Sequence, residues 1–128
     1  MKSRFALLAV LVSVAPVLAS ESEVPVVVGE ISGFDACTSL GQVTGLRDRK
    51  LVLRSGPGSS FRGKRTLQNG DLVHLCSTSA NGKWSGVVLA MDGVLNCGVS
   101  SPLPTPRPYK GPCTFGWIPT KWTVVVAG

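Results

Sequence analysis

The chain has 128 residues, with 13 Lys+Arg against 7 Asp+Glu, 15 Gly, 9 Pro, 4 Cys and a formal charge of +6. That length holds one domain, with or without a tail, and excludes multidomain enzymes, α/β barrels and a dinucleotide-binding fold with a partner domain. Charged residues at 16% are too sparse for a coiled coil, and 44% apolar content is too high for a disordered chain.

The first segment, Met1 to Ala19, opens with Lys2 and Arg4, continues as almost unbroken hydrocarbon from Phe5 to Leu18, and ends on a small residue. This is the layout of a secretory signal cleaved after Ala19. Its apolar run is shorter than the roughly 20 residues that span a bilayer, and Pro16 interrupts it. The expectation is an exported protein, periplasmic or secreted, with no membrane span once the signal is removed. Without the signal, 11 basic and 7 acidic residues leave +4.

Residues 20–35 form an acidic leader with Glu21, Glu23, Glu30 and Asp35 and no base. It is expected to begin as a mobile stretch, with Val26 to Val28 able to add an edge strand. Between Arg47 and Arg65 the balance reverses, and Arg47, Arg49, Lys50, Arg54, Arg62, Lys64 and Arg65 face only Asp48.

After Ala19 no stretch carries helical periodicity. Short strand-like runs recur instead, at Leu40–Leu46, Leu51–Arg54, Asp71–Cys76, Trp84–Met91, Phe115–Ile118 and Trp122–Val126. Asn69-Gly70 and Asn81-Gly82 are turn signals between them. The pattern predicts an all-β domain over residues 36–128, a small barrel or sandwich. Residues 92–114 depart from it as an insertion. Pro102, Pro104, Pro106, Pro108 and Pro112 forbid helix and favour extended backbone, and Cys97 and Cys113 bracket them. An ordered, stapled excursion is expected. A second reading makes Leu103 to Pro108 an extended ligand for a groove on another protein.

Four cysteines in an exported chain read as two disulfides, for which three connectivities are open. Cys97–Cys113 closes the proline-rich loop and leaves Cys37–Cys76, which is the favoured pairing. The sharper alternative is a nucleophilic thiol. Asp35-Ala36-Cys37-Thr38-Ser39-Leu40 loosely resembles the nucleophile region of cell-wall cysteine peptidases, and His74 is the single histidine available as a base. The same lone histidine leaves a zinc site short of ligands, and no phosphate loop or dinucleotide fingerprint is present. Neither a metal nor a cofactor is expected.

Leu51-Val52-Leu53-Arg54-Ser55-Gly56-Pro57-Gly58-Ser59-Ser60-Phe61 resembles the hallmark of bacterial SH3-like (SH3b) domains. Leu67-Gln68-Asn69-Gly70-Asp71-Leu72-Val73 is similar to that family's step into the next strand, and Trp84 to the Trp after the following turn. Gly116-Trp117-Ile118-Pro119-Thr120-Lys121-Trp122 is similar to its closing strand, short helical turn and aromatic. Gly41 to Gly45 fits the strand before the first motif. The resemblance covers about Gly41 to Val126 and departs from the family at the insertion. It implies an SH3-like barrel of five to seven short strands. It also implies a non-catalytic binding module for cell-wall peptide or an envelope protein; a monomer is expected, and no nucleic-acid partner, since an exported protein seldom meets nucleic acid. The residues expected to carry binding are the exposed edges of Trp84 and Trp117, Tyr109 from the insertion, and Arg54 or Arg62 for carboxylates, which arginine can grip by paired hydrogen bonds. The alternatives are a small hydrolase using Cys37 and His74, or a polyanion binder using the Arg47–Arg65 cluster.

Overall fold

A computed structural model describes residues 3–14, 21–90 and 96–128. The expected cleavage point at Ala19 and the start of the insertion lie outside these residues. Residues 3–14 take no helix or strand, and no helix among the described residues is long and apolar enough to cross a membrane.

The fold is all-β. Its strands are β1 (Val27–Val28), β2 (Ser39–Val43), β3 (Leu51–Arg54), β4 (Gly63–Leu67), β5 (Leu72–Thr78), β6 (Trp84–Leu89), β7 (Arg107–Pro108), β8 (Phe115–Pro119) and β9 (Thr123–Ala127). A single 3-10 turn, Thr120–Trp122, separates the last two. Seven strands form one antiparallel sheet in the order β4-β3-β8-β6-β5-β2-β9, and β1 pairs with β7 in a separate ribbon. Among the described residues no ladder joins β4 to β9, so the large sheet is not closed into a barrel.

Side-chain alternation explains why this sheet is buried on both faces at its centre. In β6, Val87 and Leu89 enter one cluster while Val88 enters the other; in β8, Ile118 and Trp117 divide in the same way. The inner cluster gathers Val43, Leu46, Leu51, Leu53, Leu67, Val73, Val87, Leu89 and Ile118 from six strands and a loop. Each such side chain contributes about 1.5–3 kcal/mol when fully buried. The outer cluster joins Val88 and Trp117 to Val26, Val28, Ala36, Val99, Tyr109 and all four cysteines. The leader and the insertion are therefore the outer layer of the protein.

That layer is tied to the sheet and to the insertion from Val24 onward. Val24 N donates to Ser55 O at 2.8 Å, and Tyr109 N donates to Val26 O at 2.8 Å. Ala36 N and Cys37 N donate to Ser101 O and Val99 O at 2.9 and 3.1 Å. Val26 to Val28 supplies the added strand, but pairs it with the insertion, Val27 opposite Pro108 and Val28 opposite Arg107. The disulfides are Cys37–Cys76 and Cys97–Cys113, as favoured, and the described part of the insertion, residues 96–114, is stapled by the second. Two intramolecular disulfides suit an oxidising compartment.

The Gly56-Pro57-Gly58 turn uses its glycines for space rather than for a left-handed backbone. Neither Gly56 nor Gly58 has a positive φ. Glycine is needed there because a Cβ at Gly56 would collide with the Phe61 ring, and one at Gly58 would stand 3.3 Å from it.

Candidate functional site

The Asn81-Gly82 turn is assembled by its own polar side chains. Ser79 Oγ donates to Asn81 Oδ1 at 2.8 Å, Lys83 N donates to the same oxygen at 3.0 Å, and Trp84 N donates to Ser79 Oγ at 3.1 Å. Gly82 takes φ +72°, a left-handed conformation that glycine enters freely. The turn delivers Trp84 to the first position of β6, directly across from Pro119 of β8. Thr120 N donates to Lys83 O at 2.9 Å and brings the 3-10 turn alongside. Ser85 Oγ and Thr120 Oγ1 lie 2.9 Å apart and fasten it from below.

The result is an open depression of about 550 Å³ lined by Gly82, Lys83, Trp84, Pro119, Thr120 and Lys121. Its walls are an indole and a proline ring, and the charged groups among its lining residues are both cations. Such a surface can take an apolar or amide-bearing group against Trp84 while two ammonium groups attract an acid. Lys121 Nζ also stands 4.9 Å from the centre of the Trp122 ring, within cation–π range.

Of the five residues expected to bind ligand, Trp84 alone lines this depression. Trp117 is 5% exposed beneath the leader, with Nε1 donating to Val24 O at 3.0 Å. Tyr109 is 6% exposed; its hydroxyl donates to Cys97 O at 2.7 Å and accepts from Cys113 N at 3.2 Å. The exposed edge expected of Trp117 is therefore corrected, and Tyr109 is buried as well, because the leader and insertion use these rings as anchors. Arg54 is half-buried and its Nη1 donates to Phe61 O at 3.0 Å, bracing the Gly-Pro-Gly turn. Arg62 is exposed just before β4 and does not line the depression.

Sequence reasoning overlooked Lys83, Pro119 and Lys121. The signal was the pair of Lys-Trp dipeptides, Lys83-Trp84 and Lys121-Trp122, each of which places a cation beside an aromatic. At the other candidate centre, Cys37 is bonded to Cys76, so in this oxidised state it presents no thiolate for His74 to activate. His74 sits mid-strand between Leu40 and Val88, and burial pushes its pKa below the ordinary 6.5. Among the described residues no three His, Cys, Asp or Glu side chains gather as a metal site.

Comparison of the chain with family models, curated proteins and solved structures finds no match. The class defined by the fold is a disulfide-bonded all-β domain with an outer layer built from its leader and insertion.

Proposed function

We propose that this is an exported, non-catalytic binding module of the SH3b kind, acting in the periplasm or outside the cell as a monomer and recognising cell-wall peptide. The observation that carries the reading is the Trp84 depression, where an indole and Pro119 stand with Lys83 and Lys121 and no acid is among the lining residues. Wall peptides offer what such a surface holds: short aliphatic side chains, amides and free carboxylates. The order of motifs from Leu51 to Trp122 supports the family, as does the 3-10 turn at the place where the resemblance puts a helical turn. The disulfides support export.

Titrating the protein with purified muropeptides while following tryptophan fluorescence tests this. Saturable binding is expected, weakened about 30-fold by Trp84→Ala, the loss typical of a central aromatic anchor. Lys83→Gln and Lys121→Gln each weaken it by up to about fivefold, as exposed charges do. Binding that ignores Trp84→Ala would remove the depression from the reading, and no binding would remove the ligand class.

A further inference from the structure

The cationic segment found in the sequence is divided by the fold. At its β4 end the acidic leader lies against it: Glu23 pairs with Lys64 at 2.8 Å, and Glu21 Oε1 accepts from Ser60 Oγ at 2.9 Å. At its other end, the loop between β2 and β3, no carboxylate among the described residues pairs with Arg47, Arg49 or Lys50, all exposed. Arg49 Cζ stands 5.6 Å from the centre of the half-buried Trp122 ring, which Lys121 also approaches. Two like charges thus share one aromatic ring, and Asp48 is the sole acid in the loop.

The loop backbone carries a second, independent observation. Arg47 has φ +56°, and among the described residues it is the one non-glycine residue with a positive φ. Arg49 N donates to Leu46 O at 3.0 Å, so Arg47 occupies the first central position of a tight turn, where a positive φ calls for Gly, Asn or Asp. The strain is held in place from across the molecule. Leu46 N donates to Asn69 Oδ1 at 3.1 Å, Asn69 Nδ2 donates to Arg47 O at 3.5 Å, and the Leu46 side chain is fully buried. A residue kept where the backbone disfavours it points to a role for its side chain.

We infer that Arg47, Arg49 and Lys50, with Lys121 on the Trp122 ring, form a binding surface for an extended polyanion bearing carboxylate or phosphate groups at intervals. Arginine forks suit both groups. The rigid turn fixes the spacing of the cations before the ligand arrives, which spares the cost of ordering a mobile loop. This surface shares Lys121 with the edge of the Trp84 depression, so the variants that test it change Arg47, Arg49 and Lys50 and leave Lys83, Trp84 and Lys121 intact.

The test titrates the full chain with long-chain polyglutamate and with long-chain polyphosphate over a range of salt concentrations. Binding to at least one polymer is expected, falling steeply as salt rises. Polyglutamate alone would assign carboxylate and polyphosphate alone phosphate, whereas equal binding would assign charge spacing. Arg49→Gln and Lys50→Gln should each weaken binding about three- to tenfold and flatten the salt dependence. Arg47→Gly should weaken it similarly while leaving the unfolding midpoint unchanged or raised, since glycine is at ease at φ +56°. The inference is overturned if neither polymer binds at low salt, or if Arg49→Gln and Arg47→Gly bind as the parent does. Muropeptide binding should be untouched by all three variants, which separates failure here from failure at Trp84.

Discussion

Trp117 Nε1 donates to the carbonyl of Val24 across 93 positions of sequence. The indole is buried between the sheet and the leader, so the bond fixes the leader's path before β1 begins. Trp117→Phe keeps most of the ring but leaves the Val24 carbonyl without that donor. A loss of about 1–3 kcal/mol is expected in urea unfolding. A glutamate-specific protease should also cut faster at Glu23, whose side chain is half exposed.

Tyr109 holds the insertion closed from within. Its hydroxyl ties Cys97 O to Cys113 N, across the mouth of the loop that the disulfide also spans, and its ring meets Phe115 edge to face at 5.9 Å. Tyr109→Phe preserves the ring contact and removes both hydrogen bonds. The expected cost is about 1–3 kcal/mol with the disulfide intact. Thermal unfolding with and without reductant measures it, and the gap between the two proteins should persist in the oxidised pair.

His74 makes stability depend on pH. Burial lowers its pKa in the folded protein below the ordinary 6.5, so near that pH the unfolded chain binds more protons. Stability is therefore at its full value above about pH 6.5. It declines as pH falls from there toward the folded-state pKa, and levels off below it. His74→Gln should remove this sigmoidal part of the curve in denaturant midpoints measured between pH 8 and 5. An unchanged slope in that variant would assign the effect to other groups.

Much of the fold was legible because hydrophobic alternation and turn chemistry agree. Leu51 and Leu53 announce β3, Asn69-Gly70 and Asn81-Gly82 announce reversals, and Val87, Val88 and Leu89 announce a strand covered on both faces. What stayed hidden had a physical cause in each case. β4 buries only Leu67 fully, and Lys64 and Arg65 obscure its period. β7 is two exposed residues ending on Pro108, which no strand propensity would select. The depression around Trp84 depends on a 3-10 turn arriving from 36 residues downstream, so its cations were visible as residues but not as neighbours. Trp117 and Tyr109 resembled binding aromatics because composition cannot tell a ring that meets ligand from a ring that meets its own leader.

The pairing of β1 with β7 gives this domain an order of assembly. Residues 24–28 leave the ribosome early, yet their partners at Ser55, Arg107 and Tyr109 follow by as many as 83 positions. Contacts of such separation form slowly because a long loop must close first. The pairing of residues 26–28 therefore waits until the insertion has been made and folded back, whereas Val24 meets Ser55 earlier in the chain. An exported chain, as proposed above, would profit from that delay, since the segment after the proposed signal would stay threadable for as long as the last quarter of the protein is missing.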